Sequence, residues 1–233
     1  RGKLATFSVG LEDSPDLIYA RMVANHLGTD HHEIIVTEQQ MIDAIPDVIR
    51  QIESYDTTSV RASVPMYLMS KYVKENTDVT VVYSGEGSDE ASGSYLYFHN
   101  APNEEEFTKE AKRLVMDLNR FDVLRCDKTT AGHSLEVRVP FLDKEFMKMY
   151  MSIPASYKKV RQMENGKWME KYLLRKAFDY SVNGQKILPD EVLWRTKEAL
   201  SDGISKNNRS WYEIINEYLQ SNVNEVKVIE KLK

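Results

Sequence analysis

Residues 79–90, VTVVYSGEGSDE, join a β-branched and aromatic run to a turn that holds two glycines and three acids. The first five residues are typical of a strand. In an open parallel sheet, ligands bind beyond the carboxyl ends of the strands, and glycines let backbone amides approach a phosphate closely. Residues 84–90 are therefore a candidate ligand loop. The acids could instead belong to a polar helix start, where Ser88 would be the N-cap.

The elements upstream of this loop alternate between strand and helix. The expected order is a strand at 4–11, a helix at 15–27, a strand at 33–36, a helix covering 41–52, a helix at 60–73 and a strand at 79–83. Ser14 and Thr37 stand at expected N-caps, and Gln40 completes a capping box with Thr37. Pro46 is expected to break or restart its helix. The order β-α-β-α-α-β predicts an α/β fold with a parallel sheet and helices on both faces.

The pattern changes after Gly93. Helical periodicity is present near residues 104–121, 144–151, 168–180 and 210–219, and no strand is predicted. We therefore expect an α/β part at residues 1–100 followed by a helical part at residues 101–233.

Composition excludes several classes of protein. The chain has 233 residues, a net charge of −5 and 42% apolar residues, which is incompatible with a disordered chain. The acidity argues against nucleic acid or an anionic membrane as the main partner, and no apolar run is long enough for a membrane span. The single cysteine, Cys126, excludes an internal disulfide and a cysteine-based zinc cluster. A reducing, cytoplasmic location is the expectation.

Several motifs in order along the chain resemble one family. They comprise SGEGSDE at 84–90, YLYFHNAP at 95–102, YDTTSVRAS at 55–63, EVRVPFLD at 136–143 and WRTKEALSDG at 194–203. Together they resemble the C-terminal synthetase domain of the glutamine-hydrolysing asparagine synthetases, and the likeness covers nearly the whole chain.

This resemblance implies a ligase of amino-acid biosynthesis. An N-terminal glutaminase domain would hydrolyse glutamine, and its ammonia would reach the synthetase domain. There aspartate and ATP would form β-aspartyl-AMP and pyrophosphate with the help of Mg²⁺, and ammonia would displace AMP to give asparagine. The implied fold is that of the adenine nucleotide alpha-hydrolases, or ATP pyrophosphatases, and the full-length protein would be a possible homodimer.

The resemblance also assigns residues to roles. The implied catalytic residues are Glu86 and Lys197. The implied ATP-binding residues are Val9, Gly10, Ser84 and Gly85. Contacts to pyrophosphate, magnesium or aspartate are implied for Asp16, Asp89 and Lys128, with Asp16 and Asp89 as possible metal ligands. Handling of the intermediate is implied for Thr58 and Arg61.

Most of these residues also have a purely structural interpretation. Val9 and Gly10 would suit a buried strand edge, and Asp16 would suit the first turn of a helix. Arg61 could anchor a helix by an ion pair. Without its motif, Lys197 would be read as a surface residue.

Two expected parts of the family pattern do not occur in the sequence. They are a phosphate-binding loop of the type Ser-Gly-Gly-Leu-Asp-Ser after a first strand, and the glutaminase domain. Both are expected upstream of Arg1, so the chain alone is expected to be inactive, with an exposed sheet edge beside residues 4–11 that favours self-association.

Two other functions remain open. A related adenylating amide synthetase, such as a β-lactam synthetase, would share the fold, but those relatives do not usually keep an acid at the position of Glu86. A non-catalytic or truncated paralogue would bind nucleotide or a partner subunit without turnover.

Overall fold

Two pairs of parallel strands carry the site in the computed structural model, which describes residues 2–196, 203–205 and 209–222. The strands are β1 (Ala5–Gly10), β2 (Asp30–Ile35), β3 (Val81–Tyr83), β4 (Glu136–Arg138), β5 (Arg161–Gln162), β6 (Trp168–Met169), β7 (Ser181–Val182) and β8 (Gln185–Lys186). The helices are α1 (Pro15–Leu27), α2 (Glu38–Ile52), α3 (Thr57–Asn76), α4 (Ser88–Ser92), α5 (Glu104–Asp117), α6 (Asp122–Ala131), α7 (Lys144–Ser152), α8 (Ala155–Lys158), α9 (Tyr172–Ala177), α10 (Asp190–Leu193) and α11 (Trp211–Asn222).

Local sequence signals place the ends of the first helices. Helix α1 begins at Pro15, and Gly28 ends it in the left-handed conformation. Ser14 occupies the N-cap position, but its side chain makes no capping hydrogen bond. The capping box of α2 is confirmed: the Gln40 backbone N–H donates to Thr37 Oγ1 at 3.1 Å, and the Thr37 N–H donates to Gln40 Oε1 at 2.8 Å.

The expected break at Pro46 is wrong. Helix α2 runs through this proline without interruption. Buried residues at helical spacing, among them Met41, Ala44 and Val48, hold the helix against the core, and their burial outweighs the single backbone hydrogen bond that a proline removes.

The strand order β-α-β-α-α-β is confirmed, but the strands do not form one continuous sheet. Strand β1 pairs in parallel with β2, and β3 pairs in parallel with β4. An apolar slot of about 690 Å³ lies between β1 and β3, lined by residues of both strands and of α3 and α6. The slot therefore separates the two pairs, and Val137 of β4 also lines it.

The expectation that no strand follows Gly93 is wrong. Strand β4 lies at residues 136–138, and its neighbour β3 determines its conformation because three residues are too few to show a period. Two short antiparallel hairpins, β5–β6 and β7–β8, follow. Strand β6 takes the first two residues of the expected helix at 168–180, α9 is its helical part, and β7 begins directly after its expected end.

The main core lies between β1, β2, α2 and α3, and α11 closes it. Trp211 and Ile214 of α11 are buried in this core, and Trp211 Nε1 donates to the carbonyl of Arg61 at 3.1 Å. A smaller core joins Phe98 and Phe107 near α5. Within the described part of the chain, no helix has the length and apolarity needed to cross a membrane.

Candidate active site

A cavity of about 900 Å³ opens at the carboxyl end of β3. Its walls come from the loop after β3, the first turns of α3, and the segment from α5 to α6. Seven of the residues predicted for the site line it: Asp16, Thr58, Arg61, Ser84, Gly85, Glu86 and Asp89. The structure thus brings together residues from two of the motifs, at 55–63 and 84–90, with Asp16 from the start of α1.

The two glycines of the loop have different reasons to be glycine. Gly85 is exposed, and a side chain there would meet only the Phe141 ring, at 4.0 Å. Gly87 has a φ of +88°, and an added Cβ would lie 2.2 Å from Leu142 Cδ2. Close packing and a left-handed turn therefore require glycine at 87. Gly87 is also the N-cap of α4, so the expectation that Ser88 caps this helix is wrong.

Glu86 lies in an environment that favours its neutral form. Burial, which is the main cause, and the negative charge of Asp122 raise the pKa of Glu86 from 4.5 to about 7 against the opposing effect of the Arg125 guanidinium. A carboxyl group with this pKa exchanges protons close to neutral pH, which suits a general acid or base.

A second acid of the loop is held by an aromatic hydroxyl. Glu90 is 3% exposed, and the Tyr95 hydroxyl donates a hydrogen bond to Glu90 Oε1. Burial raises the pKa of Glu90, and it also raises the pKa of Tyr95. Glu90 therefore fixes Tyr95 against the wall of the cavity.

Asp16 projects into the cavity from the first turn of α1. Its Oδ1 accepts from Arg195 Nη1 at 2.8 Å, and the Arg195 guanidinium also stacks over the Tyr19 ring at 4.2 Å. The carboxylate packs against Gly203, where an added Cβ would lie 2.2 Å from Asp16 Oδ2. This contact explains the glycine in the motif at 194–203.

Asp89 faces the cavity from the first turn of α4. Its carboxylate accepts a hydrogen bond from Ser94, and its Oδ1 lies 2.9 Å from Lys171 Nζ. The first turn of a helix also suits a negative charge. Asp16 and Asp89 thus line one cavity, each in contact with a cation. The described residues contain no group of three or more histidine, cysteine, aspartate or glutamate side chains placed to hold a metal.

Thr58 and Arg61 form the opposite wall. Thr58 is exposed on the first turn of α3, and the guanidinium of Arg61 lies 5.7 Å from the centroid of the Tyr212 ring. Arg61 Nε is buried and has no hydrogen-bond partner within the described ranges. The predicted ion pair that would anchor a helix is not found for Arg61 among those residues.

Four of the predicted residues lie elsewhere. Val9 is buried in the main core, and the carbonyl of Gly10 accepts from the Val36 N–H at 3.0 Å, so neither lines the cavity in the described structure. Lys128 lies outside the cavity and pairs with Glu53 at 2.5 Å. Lys197 falls outside the described residues.

The sequence motifs did not indicate an ion pair on α6 that also lines the cavity. Arg125 pairs with Asp122, and their side chains are 12% and 20% exposed. Their i, i+3 spacing is a signal for a helical ion pair, but such pairs are usually solvated, so spacing alone could not place this one beside Glu86.

A cavity at the carboxyl end of a parallel strand, with a glycine-containing loop, buried acids and arginines, is typical of α/β proteins that act on small charged ligands. Comparison with known proteins identifies the family. The sequence matches asparagine synthase over residues 1–120 and 102–229, and the chain therefore belongs to the asparagine synthase family.

The relatives with similar sequences carry one name. Asparagine synthetase [glutamine-hydrolyzing] of Gallus gallus is 50% identical over 228 residues, which cover 98% of this chain and 39% of the relative. The proteins of that name from Homo sapiens and Rattus norvegicus are 49% and 48% identical over 95% and 97% of this chain. The chain spans about 39% of the length of these relatives.

Proposed function

We propose that this chain is the larger part of a synthetase domain that makes asparagine from aspartate, ATP and ammonia in a longer parent protein. One observation carries the proposal: Glu86, with its raised pKa, shares a single cavity with Asp16, Arg61 and Asp89. The names of the relatives, which the chain matches at about 50% identity, agree with it.

The cavity fits a ligand that carries both carboxylate and phosphate groups. The buried Nε of Arg61 has no hydrogen-bond partner among the described residues, and a bound anion would satisfy it. Arg125 and Arg113 line the cavity from α6 and α5, where they pair with Asp122 and Glu110. Ser84 and Gly85 would approach the nucleotide through a hydroxyl and an open backbone.

In the first step, the β-carboxylate of aspartate attacks the α-phosphorus of ATP, and the bond to pyrophosphate breaks. Asp16 and Asp89 fit Mg²⁺, which takes oxygen ligands from one or two carboxylates together with substrate phosphates and would neutralise their charge. Thr58 and Arg61 would orient the resulting β-aspartyl-AMP. Lys197 and Lys128 stay proposals from the sequence for charge stabilisation at the phosphates.

In the second step, ammonia attacks the acyl carbon, and AMP leaves with the electron pair of the broken bond. The new amide nitrogen must lose a proton. Glu86 would accept it, because a carboxylate whose conjugate acid has a pKa of about 7 is an effective base at neutral pH. Its protonated form at lower pH could not do so.

We also propose that the slot between β1 and β3 receives one more parallel strand of the parent. A strand there would pair with both neighbours and would join the two pairs into one sheet of the adenine nucleotide alpha-hydrolase type. The apolar lining, with Met66, Met69 and Val82, suits such a buried strand. Its carboxyl end would carry the phosphate-binding loop toward Ser84.

Under this proposal the chain divides as predicted, into an α/β part at 1–100 and a helical part at 101–233, with β4 as the contribution of the second part to the sheet. The ammonia would come from a glutaminase domain of the parent. A cytoplasmic location, a homodimeric parent, and independence from nucleic acid and membranes stay part of the proposal.

The experiment is aspartate-dependent release of pyrophosphate from ATP, with magnesium and ammonia supplied. The chain is compared with its full-length parent, each beside a Glu86→Ala control. We expect release from the parent, its loss in the control, and none from the chain alone. A parent that binds nucleotide but releases no pyrophosphate would refute the proposal and indicate a paralogue without turnover. Release with another carboxylate acceptor, and not with aspartate, would indicate a related adenylating enzyme.

A further inference from the structure

Lys171, which no motif indicated, connects the helical part of the chain to the ligand loop. Its Nζ lies 2.9 Å from Asp89 Oδ1 and donates to Ser88 Oγ at 3.3 Å. The Lys171 side chain is 18% exposed, so the ion pair is shielded from most of the solvent. A shielded, hydrogen-bonded ion pair orients a carboxylate far better than an exposed one does.

The backbone of Lys171 adopts a conformation that lysine disfavours. Its φ and ψ are 53° and 27°, which is the left-handed region. The conformation directs the chain into α9. Residues held in this region against their preference are concentrated at functional sites, where the surrounding structure fixes them.

Hydrogen bonds hold the backbone on both sides of Lys171. The backbone N–H of Arg175 donates to the Lys171 carbonyl at 2.9 Å, and the Arg175 side chain donates to the Glu170 carbonyl at 2.9 Å and to the Leu193 carbonyl at 2.5 Å. The peptide carbonyls on both sides of the Lys171 Cα are thus fixed by one residue. A functional side chain on such a support keeps its geometry.

We propose that Lys171 is a positioning residue that orients the Asp89 carboxylate toward the cavity. The inference rests on the proposed function, because Asp89 is taken there to bind magnesium. Lys171 itself does not line the cavity among the described residues, so it acts through Asp89.

Because Lys171 has a left-handed backbone, glycine can replace it without straining the fold. This substitution separates the effect of Lys171 on the Asp89 carboxylate from its effect on stability. Lys171→Gly removes the ammonium group and relieves the backbone, so the variant keeps the fold. Asn183→Gly is the matched control, because Asn183 also has a positive φ, 51°, in the turn between β7 and β8. Both variants are expected to keep the melting temperature of the wild type within about 2 °C.

The kinetics are measured on the full-length parent, as kcat and KM for aspartate at saturating ATP and magnesium. We expect Lys171→Gly to lower kcat/KM by roughly 10- to 100-fold, as for a lost charge-assisted hydrogen bond. Asn183→Gly should match the wild type, and Lys171→Arg should restore most of the loss. In the Asp89→Asn background, Lys171→Gly should cause no further loss, because the two residues act as a unit.

Three results would overturn the proposal: wild-type kinetics in Lys171→Gly, an additive loss in the double variant, or a fall in melting temperature that explains the loss of activity.

A wild-type parent without aspartate-dependent turnover would instead refute the proposed function. In that case the same variants are compared by the dissociation constant for magnesium-free and magnesium-bound ATP. If Lys171→Gly leaves the difference between the two dissociation constants unchanged, the role of Lys171 is overturned. If Lys171→Gly changes that difference in the wild-type background but not in the Asp89→Asn background, the role is supported.

Discussion

Replacing Glu86 by glutamine should make the protein more stable at neutral and alkaline pH, although it removes the proposed base. The native state holds the Glu86 proton more tightly than the unfolded chain does, because burial and Asp122 raise the pKa from 4.5 to about 7. The stabilising contribution of this proton is complete below pH 4.5 and is lost as the pH rises through 7. Glutamine has the same shape and does not titrate.

The size of the effect follows from the interval between the two pKa values. That interval corresponds to about 3 kcal/mol at a pH above both values. Because the Glu86 side chain is only partly covered, solvent will reduce this figure. We therefore expect the stability of the glutamine variant relative to the wild type to rise by about 1 to 2.5 kcal/mol between pH 5 and pH 8.

The assay is urea unfolding of wild type and Glu86→Gln at several pH values from 5 to 8. The difference between the two free energies of unfolding is followed, since groups that titrate in both proteins largely cancel. Glu164→Gln, in the exposed turn between β5 and β6, is the control and should show no such trend. A Glu86→Gln difference that stays constant within about 0.5 kcal/mol across this range would refute the account of the Glu86 environment.

Three further predictions concern other parts of the chain. Lys158 is 2% exposed, and burial lowers its pKa. Lys158→Met should therefore raise the free energy of unfolding by about 1 to 2 kcal/mol at pH 7, with a smaller gain as the pH approaches 10. Urea titrations would measure this gain, and a loss of stability would contradict the prediction. Gly87→Ala should destabilise the chain by about 2 kcal/mol in thermal unfolding, because the new Cβ would collide with Leu142 Cδ2. Leu142→Ala in the same background should recover part of the lost stability. If it recovers none, the steric explanation is refuted. Cys126 lines the slot, and burial raises its pKa to about 11. A thiol reagent should therefore label Cys126 slowly in this chain, and roughly tenfold more slowly in the parent, where the proposed strand fills the slot. Equal labelling rates would contradict the strand proposal.

Sequence patterns predicted the features that depend on neighbours in the chain. The Thr37–Gln40 capping box and the start of α1 at Pro15 are set within a few residues, so their signals are local. Pro46 shows where a local rule fails, because tertiary packing of α2 outweighs it. Strand β4 is only three residues long and depends on pairing with β3, which no local period can reveal.

The candidate site divides in the same way. Three acids in so short a loop after β3 indicated a candidate ligand loop, and the family resemblance assigned roles to Glu86 and Asp89. Other contacts at the site join distant segments of the chain. Arg195 contacts Asp16 from 179 positions away, and Lys171 contacts Ser88 from 83 positions away. Only the packing of the helical part against the first part brings these side chains together, and a pattern of single residues carries no information about it.

Under the proposed function, the cavity beside Glu86 in the full-length parent converts aspartate to asparagine with ammonia as the nitrogen donor. The most direct measurement is ¹⁵N NMR of the products formed by the full-length parent from aspartate, ATP, magnesium and ¹⁵N-ammonium at pH 8. We expect the label in the side-chain amide of asparagine with the wild type, and a strong loss of that signal with Glu86→Gln. A wild-type parent that releases AMP without placing ¹⁵N in that amide, or a Glu86→Gln variant that labels it at the wild-type rate, would contradict the account.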